Sequence, residues 1–64
     1  MPTFTLHEVR EPHRRIARVD TNVDPKNAED CVALLRRLAI QHGRKPGDVL
    51  LRWSEGQRVL TYHA

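Results

Sequence analysis

Residues 3–10 and 15–21 both alternate apolar with polar positions and are rich in β-formers, and Glu11-Pro12-His13-Arg14 separates them. A period of two sends successive side chains to opposite faces of a strand. Proline, preset in φ, suits the second position of a type I turn, so the pattern predicts a β-hairpin. A turn centred on Pro12-His13 pairs Val9 with Ile16, Leu6 with Val19 and Phe4 with Thr21. Phe4, Leu6, Ala17 and Val19 then share one face, and Thr5, His7, Arg18 and Asp20 share the other.

The period changes in the middle of the chain. Ala28, Cys31, Val32, Leu35, Leu38, Ala39 and His42 recur at three-and-four spacing, and Leu34 widens the stripe. That is one apolar face of an amphipathic helix. Asp24 suits its N-cap, Pro25 its first helical position and Gly43 its end. Asp24, Glu29 and Asp30 come early and Arg36 and Arg37 late, an order that complements the helix dipole.

Lys45-Pro46-Gly47-Asp48 reads as a type II turn, with proline second and glycine third. After it, DVLLRW and RVLTYH flank Ser54-Glu55-Gly56-Gln57. A symmetric loop places Trp53 opposite Arg58, Leu51 opposite Leu60 and Val49 opposite Tyr62. Every large apolar residue of this segment except Leu50 and Val59 then lies on one face. A three-residue loop would give Gly56 the left-handed position, but it separates Trp53 from Leu60 and Tyr62. A one-residue slip flips faces, so the patterning selects the symmetric register.

The same region supports a helical reading. LRRLAIQHGRKPGDVL resembles the helix–Gly-Arg–helix segment of ribbon-helix-helix repressors, which open with a strand and dimerise on DNA. The resemblance implies a second helix after Pro46, with Gly56 inside it at a cost of about 1 kcal/mol. Two strand-like segments rather than one also precede the first helix, and the hairpin is the better reading. The expected fold is a single α+β domain over residues 1–64, ββαββ, with the helix packed on a small antiparallel or mixed sheet. That order is similar to the ubiquitin-like β-grasp, with Phe4, the Gly43…Pro46 helix exit and the VLLRW strand as shared landmarks. The ending Tyr62-His63-Ala64 lacks a diglycine, so the resemblance implies no carrier chemistry.

Composition narrows the function classes. Within 64 residues, hydrophobic side chains make up 39% and aromatic ones 5%, a thin core that favours self-association as a homodimer or support from a partner. One cysteine permits no disulfide framework. The first residues lack the charged-then-apolar order of a signal peptide, and no apolar run approaches the ~20 residues of a membrane span. A cytoplasmic protein without membrane attachment is the expectation.

His7, His13, His42, His63 and Cys31 are the conceivable metal ligands, but they lack the paired short spacing of zinc sites. Cys31 falls within the helical stripe, where a thiol acts as a small hydrophobe. Paired carboxylates, phosphate-gripping glycine loops and nucleophile elbows are missing. The expectation is a non-enzymatic protein with no cofactor or metal.

Charge is the remaining signal: 11 Lys and Arg against 8 Asp and Glu give a net charge of +3. Arg10, Arg14, Arg15 and Arg18 gather on the first hairpin, and Arg44 and Lys45 follow the helix. Such cations suit nucleic-acid phosphates, which guanidinium groups grip bidentately, in a regulatory role. An alternative is an adaptor or inhibitor that docks on an acidic protein surface through a sheet edge or this basic rim. Arg58, expected beside Trp53, suggests a cation–π contact. Trp53 and Tyr62 are core residues if they face the helix and stacking surfaces if they do not.

Overall fold

The computed structural model describes residues 1–64. Strands β1 (Thr3–Glu8) and β2 (Arg15–Asp20) are followed by helix α1 (Ala28–Gln41), a 3₁₀ turn (Pro46–Asp48), and strands β3 (Val49–Glu55) and β4 (Arg58–His63). The four strands form one sheet in the order β2-β1-β3-β4. Every neighbouring pair is antiparallel. The ββαββ α+β architecture is therefore as expected, with a purely antiparallel sheet. The first strand of each hairpin lies at the centre, and β2 and β4 are the edges.

Both hairpins have the expected faces but not the expected registers. β1 and β2 pair Phe4 with Val19 and Leu6 with Ala17, two residues away from the anticipated alignment. Side chains repeat every two residues, so from Thr3 to Leu6 and from Ala17 to Asp20 this offset leaves each one on its anticipated face. A further slip between Leu6 and His7 leaves Ile16 as the extra residue of a β-bulge and sets His7 opposite Arg15. The turn itself falls on Pro12-His13, where the Arg14 N–H donates to the Glu11 carbonyl at 2.8 Å.

In the second hairpin a two-residue turn on Gly56-Gln57 replaces the symmetric four-residue loop. Gly56 has φ +60°, and glycine in the first central position suits the tight turns that match strand twist. Leu51 consequently faces Tyr62, Trp53 faces Leu60 and Glu55 faces Arg58. The anticipated Arg58–Trp53 pairing does not form. Segment 49–59, moreover, is extended rather than helical, which removes the basis of the repressor resemblance.

The helix begins later than expected. Asn27 is the N-cap, its Oδ1 accepting the Asp30 N–H at 3.1 Å. Asp24 instead closes a turn: its Oδ1 accepts the Lys26 N–H at 2.9 Å and its carbonyl the Asn27 N–H at 3.0 Å. Pro25 serves that turn, since its fixed φ suits a reverse turn as well as a helix start. At the other end Gly43 has φ +68°, with its N–H on the Ile40 carbonyl at 3.1 Å and the Arg44 N–H on the Ala39 carbonyl at 2.8 Å. This is a Schellman cap, which satisfies otherwise orphaned carbonyls. The last turn holds no basic residue, so Arg36 and Arg37 are exposed mid-helix cations rather than dipole partners. Gly47 has no positive φ, and the Pro46 turn is 3₁₀ rather than type II, closed by the Asp48 N–H on the Lys45 carbonyl at 2.9 Å.

Cys31, Leu34, Leu35, Leu38 and Ala39 pack against Phe4, Leu6, Val49, Leu51 and Trp53 to form the core. Ala28 and His42, at the ends of the anticipated stripe, are exposed, and Val32 is half-buried. The Tyr62 hydroxyl donates to the Pro25 carbonyl and ties β4 to the segment leading into the helix. The Cys31 thiol lies beneath it, 3.4 Å from the Asp24 carbonyl oxygen, and burial raises its pKa. No helix is long and apolar enough to cross a membrane.

Candidate nucleic-acid interface

One face of the sheet receives α1, and strand alternation sends the other residues to the face away from it. Register then sets them in rows. Arg18, Thr5, Arg52 and Thr61 form one row across all four strands. Arg15, His7, Leu50 and His63 form the next. With neighbouring strands about 4.8 Å apart, the backbones of Arg18 and Arg52 stand about 10 Å from each other across Thr5.

The electrostatics of this face are one-sided. The chain has two carboxylate–guanidinium ion pairs, Arg14–Glu11 at 3.5 Å and Arg44–Glu8. Arg15, Arg18 and Arg52 belong to neither. The one acidic residue on the face, Asp20, stands at its margin and accepts the Thr3 hydroxyl at 2.6 Å. Arg52 is half-buried in a central strand, and its Nε is buried without a hydrogen-bond partner. A guanidinium that has given up solvent on one side and has no carboxylate gains more from an anion than a fully hydrated one does.

His7 and Leu50 lie at the centre of the second row, only 7% and 5% exposed although no helix covers them. The side chains in register with them include Arg15 and His63, and long arginine stems can cover such positions while their charged heads stay in water. His7 Nε2 is 2.7 Å from the Thr5 hydroxyl, and Nδ1 is buried without a partner. Burial foremost, then the Arg52 charge, with a smaller push from Arg15, hold its pKa below the ordinary 6.5; the Pro12 carbonyl acts the other way.

The other cations singled out from sequence sit elsewhere. Arg10, Arg44 and Lys45 line a shallow depression of about 370 Å³ with Glu8, Gly43 and Asp48, where the helix exit meets the end of β1. The Val9 N–H donates to the Asp48 carbonyl at 3.0 Å and holds the two loops together. Its charge is nearly balanced. Glu8 takes the Arg44 guanidinium, and that bond foremost, with the charges of Arg44, Arg14 and Arg10, keeps its carboxyl below the usual range. Arg14 stands nearby with Glu11. Of the six anticipated residues, then, Arg15 and Arg18 share the open face, and Arg10, Arg14, Arg44 and Lys45 form a separate group in which Arg14 and Arg44 have carboxylate partners.

Arg52 was missed as a member of the site. Its signal was present: DVLLRW is an apolar run whose single cation lies in the strand interior, and such a residue must leave by the open face. Trp53, Phe4 and Tyr62 belong to the helix side, which leaves the open face without an aromatic. His7 and His63 lie on either side of Leu50 and are not direct cross-strand neighbours. The side chains nowhere gather three or more His, Cys, Asp or Glu groups fit to hold a metal ion. Comparison with known protein families, curated proteins and solved structures gives no match.

Proposed function

We propose that this protein is a small, non-enzymatic binder of single-stranded nucleic acid that grips phosphates across the open face of its sheet. The observation that carries this reading is the set of Arg15, Arg18 and Arg52 on one surface, none paired with a carboxylate. Guanidinium groups bind phosphate oxygens bidentately, and the exposed Thr61 hydroxyl beside them adds a neutral contact. No helix or ribbon projects from this face to enter a duplex groove, which favours a single strand laid across it. With no aromatic there to stack on bases, recognition is of the backbone and is indifferent to sequence.

Three phosphate contacts predict that log K falls with log salt at a slope of about −2 for a single strand. Fluorescence anisotropy with a labelled oligothymidylate, titrated over about 20 to 200 mM salt, measures it. Combined replacement of Arg15, Arg18 and Arg52 by Gln removes the binding, while Arg14→Gln with Arg44→Gln leaves most of it. No binding at the lowest salt, or undiminished binding by the triple variant, overturns the proposal.

A further inference from the structure

We propose that His7 couples proton uptake to anion binding on the open face: a phosphate held by Arg15 and Arg52 favours the imidazolium, and the imidazolium favours the phosphate. This rests on the reading above and adds its regulation.

The geometry places His7 among cations and no anions. Arg15 faces it from β2, Arg52 stands two residues beyond its partner Leu50 on β3, and His63 lies beyond Leu50 on β4. From β1 itself it meets the Thr5 hydroxyl at 2.7 Å, and from the turn the Pro12 carbonyl acts on it. The nearby carboxylates are committed elsewhere, Glu8 to Arg44 and Glu11 to Arg14. Neutral His7 leaves Nδ1 unsatisfied in a buried position. The imidazolium would carry an N–H on the buried Nδ1 as well, but two neighbouring guanidiniums oppose that charge in the free protein. An anion that neutralises them lifts the opposition. By linkage, whatever factor the anion adds to the proton affinity of His7, the proton adds to the affinity for the anion.

An oligothymidylate of about ten nucleotides without terminal phosphates is a suitable probe, because its charge is constant between about pH 8 and pH 5. At fixed ionic strength, the wild-type affinity is expected to rise about fivefold or more from the upper to the lower limit. His7→Gln loses the greater part of that rise. Because His7 is buried and the variant could fold poorly, NMR titration of the His7 ring in the wild type gives an independent reading. Its midpoint is expected at higher pH in the complex than in the free protein. An unchanged midpoint, or equal pH dependence in a folded His7→Gln, overturns the coupling while binding itself stands. Absence of binding at every pH overturns both this inference and the function on which it rests.

Discussion

Leu51 and Leu50 are consecutive, both almost fully buried, and on opposite faces of β3, which makes their substitution a sharp test of the architecture. Leu51 is 0% exposed and packs between strands and helix. Leu51→Ala removes three carbons from that interior, about 2.4 kcal/mol of transfer free energy at about 0.8 per methylene. The enclosing helix restricts collapse, and the residual cavity adds about 1–2 kcal/mol. The expected loss is about 4 kcal/mol. Leu50→Ala forfeits a similar transfer term, but on the open face water and mobile arginine stems fill the gap, so the expected loss is about 2 kcal/mol. A chain of 64 residues has a total stability of about 3–10 kcal/mol. Urea unfolding followed by Trp53 fluorescence, with a slope of about 1 kcal/mol per molar, converts these losses into midpoint shifts of about 4 M and 2 M. At the lower end of that stability range Leu51→Ala is unfolded in buffer, whereas Leu50→Ala still folds. Equal shifts, or a larger one for Leu50→Ala, would refute the assignment of faces.

Two further outcomes follow from local geometry. Gly43→Ala should cost about 1 kcal/mol, since φ is +68° there, whereas Gly47→Ala, with no positive φ and nothing within 4 Å of the new methyl, should be neutral or slightly stabilising; urea midpoints distinguish them. Stability should also fall with acid in a way that depends on His7. Its folded-state pKa is lowered, so the unfolded chain takes up the proton first, and the stability His7 contributes above pH 6.5 is lost as pH falls through the folded value. Thermal melts over this range should show a shallower acid slope for a folded His7→Gln, and an identical slope would refute the assignment.

The fold was legible in the sequence because the apolar pattern determines which face a side chain takes, and face is what the core requires. Register was not legible to the same degree. Phe4 facing Val19 and Phe4 facing Thr21 bury the same side chains, so period-two patterning cannot separate them. The choice fell to turn chemistry, where Gly56 in a two-residue loop and Ile16 in a bulge prevailed over symmetric alternatives. At the start of the helix, Asp24 and Asn27 are both good caps, and the Asp24-Pro25 turn left the role to Asn27. The candidate site depended on strand order. Arg18 and Arg52 are 34 positions apart in sequence and become neighbours across Thr5 only because β3 pairs with β1. Nothing in composition says that Arg15, Arg18 and Arg52 are left without carboxylates while Arg14 and Arg44 find Glu11 and Glu8.

Mapping of amide chemical shifts during oligothymidylate titration at low salt shows residue by residue which face of the sheet holds the phosphates. The largest changes are expected at Thr5, Arg15, Arg18, Arg52 and Thr61, with little movement at Gly43, Arg44 and Lys45. Changes concentrated instead around Arg10, Arg44 and Lys45, with the open face silent, would contradict this assignment.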